Sequence, residues 1–250
     1  MKKLFLVVLL ISLSACAFAQ QSYVARYDVF TGFSYLNSPK LNLQQRGFNT
    51  QIGVNLRRWL AFGVDYSIQE GRAALVPNDL KTQYAAPLNG LVAEGKAGML
   101  AGYGFPAAYF TGYTLFAPFD ATTQTYTVGP QLVYRPKGKL AYFIHPSVGA
   151  IHENISLNPH DAFTQHIVLP ALLGQLPGTT PILKSTKPND TTYFYGLGGG
   201  LDYNLTKHFH LRADLEFVHV YLYSGLLANS RNSVRLSFGP TFSFGPNVKK

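Results

Sequence analysis

Residues Gly47 to Gly71 read GFNTQIGVNLRRWLAFGVDYSIQEG, and the alternation in this stretch decides the fold. Every second residue before Arg57-Arg58-Trp59 is apolar, apart from Thr50, and the same pattern restarts after it. One face carries Phe48, Thr50, Ile52, Val54 and Leu56, then Leu60, Phe62, Val64, Tyr66 and Ile68. Because side chains alternate across a strand, the stretch predicts a β-hairpin with one apolar face.

The second face of this hairpin is polar or very small. It carries glycine, asparagine and glutamine, which would make a poor hydrophobic core for a soluble sheet but suit a crowded polar interior. A β-barrel in a membrane has this inverted pattern, with apolar residues outside and polar residues within. The hairpin therefore predicts a membrane barrel, provided that the rest of the chain repeats the alternation.

The N-terminus has the features of an export signal. Lys2 and Lys3 precede an apolar run from Leu4 to Leu13, and Ala17-Phe18-Ala19 forms a small-residue cleavage site. We expect a signal peptide over residues 1–19 and a barrel domain over residues 20–250. An alternative cut lies before Cys16, where Leu13-Ser14-Ala15-Cys16 resembles a bacterial lipobox that would leave Cys16 lipid-modified. Both cuts export the protein.

The composition limits which kinds of site and of membrane-spanning segment the chain can form. Cys16 is the only cysteine, so no disulfide framework or cysteine metal site is expected in the mature chain. No later apolar run approaches the length of a membrane-spanning helix. Loss of Lys2 and Lys3 lowers the formal net charge from +9 to +7. A basic exported protein suits anionic lipid headgroups or lipopolysaccharide phosphates, although solvated loop charges would give the same balance.

Six further stretches repeat the alternation of the opening hairpin. They are Tyr27–Tyr35, Thr125–Arg135, Leu140–Gly149, Tyr193–Tyr203, Phe209–Phe217 and Ser233–Phe244. The sequence thus predicts an all-β fold, an antiparallel up-and-down eight-stranded transmembrane barrel. Turns 2–3, 4–5 and 6–7 are predicted to be short and the other connections long, which places the long loops at one end. Segments 71–122 and 153–190 are expected to be irregular, with a possible extra strand pair at Ala107–Phe116.

Aromatic residues of the apolar face are predicted to form two girdles at the membrane surfaces. Trp59, Tyr134, Tyr142, Tyr203, Phe209 and Phe244 lie on the turn side, and Tyr35, Tyr66, Tyr126 and Tyr193 on the loop side. Pro130, Pro146 and Pro240 fall inside predicted strands, where proline removes a ladder hydrogen bond. We expect bulges or local breaks at these prolines.

With these strands assigned, the chain resembles the small eight-stranded outer-membrane barrels of OmpA/OmpX type. The resemblance rests on YDVFTGFSYL, GFNTQIGVNLRRWLAFGVDYS, HLRADLEFV and the closing VRLSFGPTFSF. It implies outer-membrane localisation, insertion by the barrel-assembly machinery and a monomeric barrel. Only six residues follow Phe244, so no peptidoglycan-binding domain is expected. It implies neither a cofactor nor a nucleic-acid partner.

Charged residues on the inward face form the strongest candidate site. They are Asp28, Asp65, Asp202, Asp214, Glu216, Arg57, Arg135, Arg212 and Arg235. An eight-stranded barrel is just wide enough for its side chains to fill, and a buried charge left unpaired is costly. We predict one ion-pair network joining Arg212, Asp214, Glu216 and Arg235. It would act as a plug, or as the lining of a narrow gated pore.

Other motifs are weaker, and no catalytic, cofactor or metal residue is assigned. Gly198-Gly199-Gly200 lies in a strand rather than between a strand and a helix, so we interpret it as packing in a narrow barrel. His208 and His210 share a strand face at a turn, where solvation is expected rather than a metal.

Three functions stay open on the sequence. The first is a non-enzymatic integral outer-membrane barrel with a structural, loop-presenting or small-solute role. The second is an outer-membrane lipid acyl hydrolase or transferase, using His152 with Glu153 and Ser156. The third is a soluble lipocalin-like binding barrel, which would need bulky apolar residues facing inward.

Overall fold

The computed structural model describes residues 23–176, 179, 181–228 and 231–248, and these form a closed barrel of eight strands. The strands are β1 (Ala25–Ser38), β2 (Leu43–Arg57), β3 (Leu60–Leu75), β4 (Ala117–Tyr134), β5 (Leu140–Leu157), β6 (Asn189–Asn204), β7 (Phe209–Val220) and β8 (Arg231–Asn247). The predicted signal peptide, with Cys16, lies outside the described residues.

Each strand pairs antiparallel with its neighbours in the chain, and β1 pairs with β8 to close the ring. In the β2–β3 hairpin Ile52 lies opposite Val64, and Phe48 lies opposite Ile68. At the closing seam Phe33 lies opposite Phe238. The predicted antiparallel up-and-down barrel of eight strands is confirmed.

The strands run further toward the loop side than the apolar alternation indicated. β3 continues to Leu75, β4 begins at Ala117 and β5 extends to Leu157. β1 and β2 are also longer, so only residues 39–42 connect them, in a 3₁₀ turn at Pro39–Leu41. The predicted long loop between strands one and two is therefore wrong, because polar residues there pair as strand and not as loop.

The outward face changes character along each strand. On β3 it reads Phe62, Val64, Tyr66 and Ile68, then Glu70 and Arg72. The other strands change at the same level, where a polar belt comprises Asn37, Arg46, Glu70, Gln124, His152, Thr191, His219 and Asn232. Belt residues pair across strands, as His152 does with Thr191 (2.6 Å). Below the belt lies an apolar band about ten residues tall, which matches the strand length that crosses a bilayer.

The turn-side aromatic girdle lies where it was predicted. Trp59, Tyr142, Tyr203, Phe209 and Phe244 are all exposed on the outer face. On the loop side Tyr193 is exposed near the upper edge of the band. Tyr66 and Tyr126 also point outward, and their rings lie 5.1 Å apart. Tyr126 is the first outward residue below Gln124 of the belt, so it lies at the upper edge of the apolar band, although β3 and β4 continue above it.

The strand prolines interrupt the ladder without shifting its register. Pairing between β4 and β5 stops after Val128 opposite Val148 and resumes at Leu132 opposite Ile144, in the same register. Pro130 and Pro146 would face each other in this gap. The predicted local breaks occur there, and the register on both sides is kept by the bonds above and below.

The loop-side mouth is covered by a folded cap, built from residues 76–116, 158–176, 179, 181–188 and 221–228. Its helix α1 spans Thr82–Lys96, a π-helical turn at Thr164–Val168 runs into the short helix α2 (Leu169–Leu172), and 3₁₀ turns lie at Pro77–Asp79, Ala101–Tyr103 and Ala107–Phe110. The predicted strand pair at Ala107–Phe116 is wrong. No helix in the described part of the chain combines the length and apolarity needed to cross a membrane.

A hydrophobic core holds the cap together and joins it to the barrel. Phe110 and Phe163 pack edge to face with ring centres 4.9 Å apart. Gly95 of α1 touches Phe110 so closely that a Cβ there would lie 2.3 Å from its ring. The core also includes Leu43 and Phe119, which point inward from the upper ends of β2 and β4. The apolar residues of the long loops are therefore core residues of a cap.

Asp161 organises the lower edge of this cap. Its carboxylate accepts hydrogen bonds from the backbone N–H of Thr164 (2.8 Å) and from the Thr164 hydroxyl (2.9 Å). Tyr109 and Tyr113 donate to it as well, each at 3.2 Å. Partial burial favours the protonated acid, but the hydrogen bonds from Thr164 outweigh it and lower the pKa of Asp161. Burial raises the pKa of Tyr113 to about 12, so this phenol stays a donor.

Replacing Asp161 with alanine should loosen the cap and leave the barrel intact. Loss of a helix N-cap costs about 1 kcal/mol, so hydrogen exchange should quicken over residues 162–172. Because the folded pKa is lowered, this contribution is complete above the ordinary value of 3.8 and is lost as the pH falls below it. Glu94→Ala removes an exposed carboxylate from the same cap and is the control. Equal exchange in the two variants would contradict the role given to Asp161.

Candidate functional site: the filled lumen

Strand alternation turns most of the predicted charges into the lumen. Asp65, Asp202, Glu216, Arg135, Arg212 and Arg235 are buried there, and Asp28 and Asp214 are half-buried. Arg57 is the exception and is exposed. The register of the β2–β3 hairpin shifts between Asn55 and Arg57, so parity no longer holds at the turn. The inward assignment of Arg57 is therefore wrong.

Arg235 is the centre of the lumen. It lies 2.8 Å from Asp65, which reaches across the barrel from β3, and 2.7 Å from Glu216, its direct neighbour on β7. Ser147 donates a hydrogen bond to the other carboxylate oxygen of Glu216. All three charged side chains are at most 8% exposed. One guanidinium thus bridges two carboxylates that come from different sides of the barrel wall.

Arg212 forms a separate pair nearer the turn side. Its guanidinium holds Asp202 through two hydrogen bonds of 2.7 and 2.8 Å, donates to Gln51 and stacks 4.9 Å from the Phe143 ring. Asp202 lies directly opposite Arg212 on the neighbouring strand. Directly opposed residues approach more closely than residues two apart on one strand. The predicted contact between Arg212 and Asp214 is wrong for this reason.

Asp214 instead pairs with His145 of β5, whose Nε2 atom lies 3.1 Å from the carboxylate. The four residues that were predicted to form one network therefore belong to three separate groups. Only the contact between Glu216 and Arg235 joins two of its four proposed members directly. The pair of His145 with Asp214 lines the same small space as Asp65 and Arg235, so these two groups adjoin each other in the lumen.

Glycines of β6 make room for this filling. Phe143, His145 and Ser147 of β5 lie opposite Gly200, Gly198 and Gly196 of β6. A Cβ on Gly198 would lie 2.4 Å from His145 Nε2. The interpretation of this glycine run as packing in a narrow barrel agrees with the geometry, because the larger residues of β5 lie opposite glycines, which have no side chain.

A fourth buried pair, which sequence reasoning missed, lies at the top of the lumen. Arg231 donates two hydrogen bonds, of 2.9 and 2.7 Å, to Glu153, and both side chains are fully buried. Thr123 donates to the same carboxylate at 2.7 Å. Arg231 and Glu153 lie beyond the ends of the apolar alternation, where the sequence predicts loops, so the alternation gives no direction for their side chains. The pair lies directly below the apolar core of the cap.

Tyr223 connects the cap to this upper pair. Its hydroxyl donates to the backbone carbonyl of Glu153 (3.0 Å), and its backbone adopts a left-handed conformation with φ of 53°. Burial and the nearby carboxylates of Glu153 and Asp190 raise its pKa, so the hydroxyl keeps its proton and remains a donor.

The turn-side end of the lumen is closed by neutral and charged partners together. Asn55 donates to Asp28 (2.6 Å) and accepts from Arg135 (2.8 Å). The spaces left around these groups are small. One of about 30 Å³ adjoins Asp28 and Arg135, and one of about 20 Å³ adjoins Asp65 and Arg235. Each has room for one or two water molecules.

The weaker sequence motifs do not assemble into reactive sites. His208 and His210 each bond to Ser243, through its carbonyl (2.9 Å) and its hydroxyl (2.7 Å). Within the described residues no three His, Cys, Asp or Glu side chains gather as a metal site. His152 points outward from β5, whereas Glu153 points inward to Arg231. Ser156 is four residues further along the strand, about 13 Å away. The residues proposed for acyl hydrolysis are thus kept apart.

Replacing Arg235 with alanine should destabilise the barrel severely. Two buried carboxylates would lose their partner, and breaking such a buried group costs about 3–5 kcal/mol. The temperature at which the folded form disappears on a detergent gel should fall accordingly. The triple variant Arg235→Ala, Asp65→Asn, Glu216→Gln should recover part of the loss, because no charge is left unpaired.

Arg72→Ala is the matched control for this experiment. Arg72 also pairs with a carboxylate, Asp120, at 2.7 Å, but its side chain is 88% exposed. An exposed pair contributes about 0–1 kcal/mol, so this variant should behave as the wild type. If Arg235→Ala and Arg72→Ala had the same effect, the central role of Arg235 would be disproved.

The chain was compared with known proteins. No protein-family model matches it, and no curated protein sequence matches it either. Among solved structures it is similar to the outer membrane protein OprG from Pseudomonas aeruginosa, with 8% identity, 91% of this chain and 100% of that chain covered, and a TM-score of 0.46. It is also similar to the Neisserial surface protein A, with 12% identity, 87% and 96% coverage and a TM-score of 0.43.

The assignment of the fold rests on the chain's own geometry. Eight antiparallel strands form a closed ring, their outward rows are apolar and aromatic, and their inward rows are polar and ion-paired. The barrel has an up-and-down topology, with three short turns at one end and, at the other, one short turn and three larger connections. By this architecture the chain has the fold of the small eight-stranded outer-membrane β-barrels.

Proposed function

We propose that the chain is an integral protein of the bacterial outer membrane that presents a folded cap on the cell surface above a closed lumen. The observation that carries this proposal is the apolar band on the outer face of all eight strands. Exposed Phe33, Ile52, Val64, Leu197 and Phe238 belong to it. An apolar surface that encircles a whole barrel is far larger than the patches that soluble monomers expose.

The lengths of the connections set the orientation of the barrel in the membrane. Bacterial barrels have short turns on the periplasmic side and longer loops outside. We therefore place residues 58–59, 135–139 and 205–208 in the periplasm, and the cap outside. The lipid of the membrane, including lipopolysaccharide near the polar belt, would be the direct partner, and the barrel-assembly machinery would insert the chain as a monomer.

A structural or display role fits the lumen better than transport does. Buried ion pairs and hydrogen-bonded polar side chains fill the barrel, and the cap core covers its outer mouth. A pore would need both the Arg235 group and the cap to move together. The cap in turn offers what a display role needs, which is a rigid, folded surface above the membrane.

The alternative functions have weaker support. An acyl hydrolase would need His152, Glu153 and Ser156 in one place, and β5 keeps them apart, so we propose a non-enzymatic protein. A soluble lipocalin-like barrel would carry its bulky apolar residues inside. Here the inward rows below the cap are largely polar, and the bulky residues face out.

A lysine in the band should impair assembly, and one above it should not. Val128→Lys puts a charge on the outer face of β4, where Val128 lies between Val64 and Val148. At the bilayer midplane this costs about 2–4 kcal/mol. Thr122→Lys is the matched control, on the same strand and face but above the band. The amount of heat-modifiable protein in outer-membrane fractions is the measurement. Equal assembly of the two variants would refute the membrane placement.

The closed lumen predicts little ion conductance. Wild-type protein in a planar bilayer should show only rare, small events. Removing the charges of two groups at once, with Arg235→Ala, Asp65→Asn, Glu216→Gln combined with Arg212→Ala, Asp202→Asn, should raise the conductance if the variant still shows the gel shift of a folded barrel. Steady, large currents through the wild-type protein would overturn the proposed closed lumen and favour a pore.

A further inference from the structure

Basic side chains dominate the turn-side rim of the barrel. Six of them come from the start of β1 and from three turns, namely Arg26, Arg57, Arg58, Lys137, Lys139 and Lys207. Among the described residues the carboxylates of this half, such as Asp28 and Asp202, point into the lumen and are hydrogen-bonded there. Those that reach the surface lie on the loop side, mixed with basic residues. The turn-side rim is thus a positive ring at the expected depth of the lipid headgroups.

An apolar groove opens on the outer face next to this rim. It has a volume of about 580 Å³, within the range of small-molecule sites. Its lining comes from the turn between β2 and β3 and from the lower ends of β4 and β5, where the outward-facing side chains are Trp59, Leu132, Tyr134, Tyr142 and Ile144. Trp59 is half-exposed, and the rings of Tyr134 and Tyr142 stack 6.4 Å apart. Because it lies in the apolar band, the groove faces hydrocarbon.

The chain places cations at the lower end of this groove. Arg57 and Arg58 directly precede Trp59. Lys137 and Lys139 lie in the turn that joins Tyr134 to Tyr142, and both are exposed. Lys139 also contacts the Tyr203 ring, with its ammonium 5.9 Å from the ring centre. Lysine keeps its charge in water while its stem covers apolar surface, so both exposed residues can place their ammonium groups in the headgroup layer.

We propose that the groove and the rim together bind one anionic phospholipid of the leaflet next to the turns. An acyl chain would lie in the groove against Trp59 and Ile144. The phosphate would lie between the two turns, held by Lys137, Lys139 and Arg57. This inference rests on the proposed membrane placement, because the groove needs hydrocarbon beside it.

The charge distribution selects this lipid class. A zwitterionic lipid would fill the groove equally well but would gain little from a ring of cations without surface carboxylates. Lipopolysaccharide is also anionic, yet it belongs to the opposite leaflet from the turns. There Arg46 lies opposite Glu70 and Arg72 pairs with Asp120, so the surface charge is mixed. The turn side is the end with a uniform charge.

Native mass spectrometry of the purified full chain tests the proposal. The folded barrel is held in a neutral detergent with equal amounts of phosphatidylglycerol and phosphatidylcholine of the same acyl chains. We expect one phosphatidylglycerol to be retained preferentially. Near a charged surface each lysine contributes about a fivefold gain in affinity, so Lys137→Gln with Lys139→Gln should weaken retention about thirtyfold. Retention of both lipids alike by the wild type would overturn the proposal.

Matched variants separate the site from general effects. Lys184→Gln with Lys187→Gln removes the same charge from the loop side and should retain phosphatidylglycerol as the wild type does. Trp59→Ala should reduce retention of the lipid, whereas Tyr193→Ala, an exposed aromatic at the other edge of the band, should not. If either control lost the lipid to the same extent as its partner, the site would be wrongly placed.

Two further readouts keep this inference apart from the proposed function. Each variant is checked for the gel shift of a folded barrel, so loss of lipid is not confused with loss of fold. A lipopolysaccharide arm is run in the same detergent, and preferential retention of lipopolysaccharide would overturn the assignment to a phospholipid. A folded barrel that retains no anionic lipid would sink this inference alone, whereas absence from outer-membrane fractions would sink the proposed function.

Discussion

The need to pair every charge in a narrow lumen constrains the whole barrel. Arg235 satisfies Asp65 and Glu216, two carboxylates that β3 and β7 bring from different parts of the wall. A charge left alone in this space would cost several kcal/mol, so the register of these strands is tied to the ion pairs. The glycines of β6 belong to the same constraint, because they make the space that His145 and Phe143 occupy.

The same chain carries two different interiors. Below the polar belt the lumen is filled by ion pairs and hydrogen bonds, while above it the strand ends and long loops enclose an apolar core around Phe110 and Phe163. The pair of Arg231 and Glu153 lies between them and is fully buried. Below the belt the buried apolar residues form only small clusters, such as that of Val133 with Phe143, and the large apolar core lies in the cap. The cap is therefore a small water-soluble unit built on a membrane barrel, which is what a display role would use.

The two ends of the barrel also differ in charge. The cap side mixes both signs, and the turn side presents arginine and lysine at its surface. A uniform positive rim beside an apolar groove is the combination that an anionic phospholipid complements, with its charged headgroup and its hydrocarbon tail. Such a lipid would fix the depth of the barrel in the bilayer, in the way that aromatic girdles do.

The alternation of residues 47–71, repeated in six further stretches, determined the barrel, its number of strands and its inverted faces, because strand periodicity is a local property of the chain. The same alternation, read on β3, β7 and β8, turned Asp65, Glu216 and Arg235 inward. Only the tertiary structure decided which charges meet, since pairing follows the register between strands: Arg212 meets Asp202 rather than Asp214. The sequence likewise did not predict the upper strand ends, the pair of Arg231 with Glu153 or the folded cap. Polar residues at outward strand positions do not differ in composition from those of a loop, and apolar loop residues do not differ from those of a core. Only long-range contacts distinguish a strand from a loop, or a folded cap from an irregular segment.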